Sequence, residues 1–440
     1  MQLRLNIFLS VSLAMFAAHL PSTFAQDSEQ WTRFRGDAGT GIAESAPPTE
    51  WNESDNFKWK TDLPGQGWSS PVYANGLVWM TSAIIQEASQ EEIDRRLSGD
   101  RLAGIKTLAA SVEFHALCVN LETGELLHDI TLGSTDEVQP INPMNSYASP
   151  TPVISGDRVV CHFGNYGTWC LDAASGEELW KQEFIVDHSV GPGSSPIVSG
   201  DNVVLVCDGM DQQYIAAVDL STGEPKWKTE RPPIRAGDGE QRKAYCTPLI
   251  AEIDGRSQLV VTGAQWICGY DPQNGEELWR LDHGNGFSIT PMPVLVEELV
   301  IFATGYGDGR VVAVDPGEGE LPDSAVAWKS PNAPSMPSFI SNDGAVFAVT
   351  DRGVLVAIDA ETGEEISKKR MISNVSSSPL LAGGNLYIGN RDGEMVVVSC
   401  DPEMEVLSKF DFGSPVYASP CVIGNDLLIR TADSLIRITE

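Results

Sequence analysis

One unit recurs along this chain, and it constrains the fold more than any other feature. Most copies open on Ser/Thr-Pro, and each runs through short apolar strands parted by Gly, Asp or Asn turns. It closes on Asp-x-x-Thr-Gly-Glu-x-x-Trp. The opening prolines are Pro71, Pro152, Pro196, Pro248, Pro293, Pro337, Pro379 and Pro420, at spacings of 81, 44, 52, 45, 44, 42 and 41. The closing motif is clearest in Asp172–Trp180, Asp219–Trp227 and Asp271–Trp279. It is weaker in Asn120–His128, Asp315–Trp328 and Asp359–Ser367, and near Asp401 it has lost the Gly and the Trp. Four strands in about 40–45 residues is the signature of a propeller blade. A helical repeat of that period needs long stretches at 3.6-residue spacing, which the frequent Gly and Pro interrupt. A chain of 440 residues would otherwise suggest about three domains, and the repeat overrides that prior.

The eighth unit ends after three strands, at Glu440. Near the N-terminus, residues 57–63 (Phe-Lys-Trp-Lys-Thr-Asp-Leu) match the outer strand of a blade with no preceding three. The reading is an all-β, eight-bladed propeller over residues 57–440, closed by this N-terminal strand, which removes a free sheet edge. Residues 26–56 form an extension expected to run over the outside, with Trp31, Phe34 and Trp51 packed on it. Residues 83–111 break the repeat inside the first blade. Gln90–Leu97 within them is a helix candidate, since Ile93 and Leu97 share a face and Glu91 stands four before Arg95. This insertion is either a solvated loop or a lid.

The repeat resembles the quinoprotein, or PQQ-like, eight-bladed propeller, and the all-propeller build is similar to the BamB-type outer-membrane assembly scaffold. The resemblance implies that Trp59, Trp180, Trp227, Trp279 and Trp328 dock one blade on the next. It does not bring dehydrogenase chemistry with it. Quinoprotein dehydrogenases place an adjacent Cys-Cys pair over the quinone, and here no two cysteines are adjacent. No calcium-ligand set stands out among the many turn acids, and no two histidines have ligand spacing. No catalytic residue, metal or cofactor is therefore expected, PQQ and Ca²⁺ included.

Arg4, an apolar run from Ile7 to Ala18 and Thr23-Phe-Ala25 read as a signal peptide, residues 1–25, cleaved after Ala25. No later stretch approaches the 18 apolar residues of a membrane span. The expected location is the periplasm or outside the cell. Asp and Glu number 61 against 29 Lys and Arg, a formal charge of −32, which repels nucleic-acid backbones.

An exported chain with eight cysteines invites a disulfide reading. A two-residue turn at Asn165-Tyr166 would set Cys161 opposite Cys170, within reach of a cross-strand bond. Two buried free thiols are the alternative.

The Thr-Gly-Glu turns lie at one end of the ring and are nearly uniform. The other end collects the segments leading into the Ser/Thr-Pro strands, which are varied. Varied loops on a rigid scaffold carry binding residues. Cations are scarce, so Arg242, Lys243, Arg352 and Arg391 would form a positive spot there. Asn145, Tyr147, His188 and Tyr245 would add stacking and hydrogen bonds. The expected function is a non-catalytic binding or scaffold propeller, BamB-like, facing an envelope protein or a small anionic or carbohydrate ligand. The alternatives are a PQQ-dependent oxidoreductase and a carbohydrate- or envelope-binding module.

Overall fold

The computed structural model describes residues 30–307 and 309–440. The signal-peptide expectation, residues 1–25, lies outside them. Eight antiparallel sheets follow one another along the chain. Blade 1 runs from Val72–Ala74 to Leu126–Thr135, blade 2 from Val153–Ser155 to Glu178–Gln182, and blade 3 from Ile197–Ser199 to Pro225–Glu230. Blade 4 spans Leu249–Ile253 to Glu277–Asp282, and blade 5 spans Val294–Val296 to Val326–Ser330. Blade 6 spans Ile340–Asn342 to Glu365–Arg370, and blade 7 spans Leu380–Ala382 to Val406–Asp411.

Blade 8 holds Cys421–Ile423, Asp426–Arg430 and Ser434–Ile438, and Phe57–Asp62 supplies its outer strand. Phe57 pairs with Ile438 and Asp62 with Ser434, antiparallel. The closure extends one residue past each end, through Leu63 N–H to Asp433 O at 2.8 Å and Thr439 N–H to Asn56 O at 2.9 Å. Burial follows position in the blade. The second strand of blade 3, Asn202–Asp208, is buried throughout. The outer strand Phe57–Asp62 alternates half-buried and exposed residues, as a strand with one wet face must.

A belt of hydroxyls stitches the innermost strands together. In seven of the eight blades a Ser or Thr at the start of the innermost strand accepts a hydrogen bond from the equivalent backbone N–H of the preceding blade. Ser70 N–H donates to Thr151 Oγ1, Thr151 to Ser195 Oγ and Ser195 to Thr247 Oγ1, each at 2.9 Å. Met292 donates to Ser338 Oγ at 3.0 Å, Ser338 to Ser378 and Ser378 to Ser419 at 2.9 Å, and Ser419 back to Ser70 at 3.1 Å. The link from Thr247 is missing because Met292 has no hydroxyl. The belt also moves the start of blade 6 by two residues from the proline register, since Ser338-Phe339, not Met336-Pro337, occupies the Ser-Pro places.

The N-terminal extension corrects the expectation that it stays outside. Trp31 pairs with Tyr73 on the innermost strand of blade 1, and Thr32 O accepts from Ile154 N–H of blade 2 at 2.7 Å. Arg35 then bonds Phe339 O of blade 6 and lies 3.4 Å from Pro379 O of blade 7. Ile42–Ala43 adds a parallel strand to Leu380–Ala382. Residues 31–43 thus cross the bore and close it. Trp31 and Arg35 are buried, and only the following stretch lies outside, where Trp51 packs beside Phe410 and Phe412.

The disulfide expectation is also corrected. A short 3-10 turn at Gly164–Tyr166 replaces the two-residue turn, so Cys161 faces Trp169 and Cys170 faces Val160. The two thiols enter different cores. All eight cysteines are free and buried. No helix among the described residues is long and apolar enough to cross a membrane.

Candidate functional site

A cavity of about 460 Å³ opens at the end of the ring opposite the Thr-Gly-Glu turns. Its floor is the hydroxyl belt, together with Phe34 from the segment that closes the bore. Its wall is one repeat position: the residue two before each belt residue. Blades 8, 1 and 4 place Tyr417, Trp68 and Tyr245 there. Blades 2, 3, 5 and 7 place Ser149, Gly193, Thr290 and Ser376, and blade 6 places Met336. Trp68 and Tyr417 stack with centroids 4.1 Å apart and planes 14° apart, a preformed aromatic platform on one side of a bore that is otherwise small-walled.

The insertion forms part of the mouth. It folds as a helix over Gln90–Arg96 followed by a 3-10 turn at Ala103–Ile105, and it brings Arg101, Leu102 and Ile105 to the cavity. Ile105, Met144 and Tyr306 around this rim are 51, 37 and 47% exposed, a cluster of apolar groups left open to water.

Of the residues expected from the sequence, Asn145, Lys243 and Tyr245 line the cavity. Asn145 is largely spent on structure, since its Nδ2 donates to Val190 O at 3.0 Å and Pro192 O at 3.1 Å. Tyr245 Oη donates to His188 O at 2.7 Å. Lys243 is buried against Glu240 and donates to Ser189 Oγ at 3.0 Å. Tyr147 is buried away from the bore, bonded to Gln139 O and Ala109 N–H. His188 is buried too, and desolvation pushes its pKa down to about 4, so the ring is neutral.

The expected cations have separate partners. Arg242 turns to Ala236 O at 2.7 Å, Arg352 is exposed, and Arg391 lies against Met144 and Asn374 O. Three cations at the cavity are closed into ion pairs, Lys243 and Lys106 with Glu240, Lys106 also with Asp100, and Arg101 with Asp238, whereas Arg391 beside Met144 has no acid partner among the described residues. The residues do not fit a quinone–calcium centre. Glu240 is the single carboxylate in the wall and is already held by two lysines, whereas Ca²⁺ takes six or more oxygen ligands. Among the described residues no three His, Cys, Asp or Glu side chains gather as a metal site.

The tryptophans dock blades as the resemblance implied, with one exception. Trp59, Trp180, Trp227 and Trp328 each cover the glycine of the next blade's turn, Gly124, Gly223, Gly275 and Gly363. Trp279 instead bonds Gln258 Oε1 of its own blade at 2.8 Å. The blade 5 turn has departed from Thr-Gly-Glu, and Gly319–Glu320 folds back as a fifth strand on blade 4.

Fold and site together define an eight-bladed PQQ-like propeller with a closed bore and a mouth whose wall carries three aromatic rings. Residues 86–229 and 240–401 match the family model described as outer membrane protein assembly factor BamB, and the chain belongs to that family. It is similar to the outer membrane protein assembly factor BamB of Yersinia pestis, 24% identical over 283 residues, which are 63% of this chain and 67% of that protein. The BamB of Burkholderia pseudomallei is 25% identical over 191 residues, 39% of this chain and 47% of that protein. Among solved structures, BamB from Moraxella catarrhalis superposes with a TM-score of 0.53 at 16% identity, over 76% of this chain and 89% of that one. A europium-containing methanol dehydrogenase superposes with a TM-score of 0.66 at 12% identity, over 93% and 91%. At such identities the structural likeness speaks for the fold alone.

Proposed function

We propose that this protein is a non-catalytic scaffold of the bacterial envelope. It would work in the periplasm, in the assembly of outer-membrane proteins, by docking a partner on the mouth end of the ring. Family membership supports the process. The observation that carries the choice of end is the exposed apolar rim of Ile105, Met144 and Tyr306, because monomeric proteins rarely leave such groups clustered in water without a partner. The opposite end offers small and acidic turns repeated almost unchanged. Lys243 and Glu240 neutralise each other at the mouth, so docking rests on apolar contact more than on charge. Ile105→Glu and Met144→Glu, in a protein whose melting temperature is unchanged, should abolish co-purification of an outer-membrane assembly protein. Undiminished co-purification would remove the rim from the account.

A further inference from the structure

We propose that the cavity at the mouth of the bore is a binding site for an uncharged saccharide. The floor carries the first argument. Each of the seven belt hydroxyls accepts a hydrogen bond from a backbone N–H of the preceding blade. None of the seven donates to another group among the described residues, yet all are buried around the axis, with Ser338 only 1% and Ser70 2% exposed. A buried O–H needs an acceptor. The belt therefore presents a ring of donors that only water or a ligand oxygen can satisfy. Ser376, in the layer above, has a buried hydroxyl with no partner at all.

The wall carries the second argument. Trp68 and Tyr417, stacked on each other, leave their edges and outer faces to the wall, beside small residues that leave room for a ring-shaped ligand. Aromatic faces are electron-rich, and the C–H face of a pyranose presents weakly positive hydrogens to them. Charge excludes the competitors. Lys106, Lys243 and Arg101 are already paired with acids, Arg391 beside Met144 at the rim has no acid partner among the described residues, and the chain as a whole carries −32, so an anion would meet one rim cation in a repulsive field. A cation would find in the wall no carboxylate but Glu240, which two lysines already hold. A ligand with acceptor oxygens on one side, an apolar face on the other and no charge is a sugar.

The test is calorimetric titration and saturation-transfer NMR on the isolated protein. The neutral probes are maltose, cellobiose and N,N′-diacetylchitobiose, each up to about 10 mM, since shallow polar sites reach millimolar affinity. Glucuronate and inorganic phosphate are the charged probes. At least one neutral sugar should bind. Thr290→Tyr adds bulk inside the cavity at a side chain that makes no hydrogen bond among the described residues, and it should abolish binding. Tyr417→Ala removes half of the platform and should weaken binding about tenfold, the scale of one lost aromatic contact. If Tyr417→Ala does not fold, Thr290→Tyr alone decides. No binding of any neutral probe, binding of charged probes only, or binding unchanged in Thr290→Tyr would each overturn the proposal. Because no assembly partner is present, failure here leaves the docking reading untouched.

Discussion

The indole of Trp180 covers Gly223 of the next blade so closely that a β-carbon on the glycine would lie 2.7 Å from the ring. Its Nε1 also donates to Leu220 O of the same turn at 2.9 Å. The recurring Trp and the recurring Gly are thus two halves of one joint between blades. Trp59 with Gly124 makes the same joint between the closing strand and blade 1, and Trp59 Nε1 donates to Leu121 O at 2.8 Å.

This joint predicts a difference between two glycines of similar backbone. Gly223 has φ +73° beneath Trp180, while Gly255 has φ +70° with nothing within 4 Å of a new β-carbon. Gly255→Ala should cost about 1 kcal/mol, the left-handed backbone alone. Gly223→Ala should cost about 2–4 kcal/mol, because overpacking adds to that strain. Denaturant titration of both measures the gap, and equal losses would show that the Trp contact carries no strain.

The belt predicts opposite outcomes for two serines two residues apart. Ser378→Ala strands the backbone N–H of Ser338 and should destabilise by about 1–3 kcal/mol. Ser376→Ala removes a buried hydroxyl that has no partner and should be neutral or stabilising in the absence of ligand. Thermal melts of the two variants decide it, and equal destabilisation would mean that the stitch adds nothing.

Much of this was legible in the sequence, because blade number, ring closure and docking tryptophans are each written at a fixed offset in the repeat. Trp59 in an orphan strand was enough to close the ring. The bore was not legible in the same way. Phe34 and Arg35 lie outside the repeat, and the packing of Phe34 on the core of blades 4 and 5 and the bonds of Arg35 to blades 6 and 7 leave no periodic trace. The Cys161–Cys170 register failed because one residue more in the turn moves each strand partner to the other face. The cavity wall was misread because charge was sought, whereas the informative signal was periodic. Trp68, Tyr245 and Tyr417 stand at the same offset before three separate belt residues.

Acid should weaken the turns in a defined window. Asp219 accepts from Ser221 Oγ and from the backbone N–H groups of Ser221 and Thr222, and these bonds lower its pKa from 3.8 to about 2. The folded value lies below the unfolded one, so its contribution is complete above about pH 5 and is lost as pH falls toward 2. The melting-temperature gap between the wild type and Asp219→Ala should stay constant from pH 7 to about 5 and close by about pH 2. A gap that persists at pH 2 would contradict the assignment.

The central claim is that the mouth end docks a partner in outer-membrane assembly. A photo-crosslinking residue placed at Ile105 tests it most directly, with one at Thr222, exposed on a Thr-Gly-Glu turn, as the comparison. In intact cells, irradiation should link an outer-membrane assembly protein to the Ile105 variant and not to the Thr222 variant. Crosslinks from Thr222 alone, or none from either position, would contradict the account.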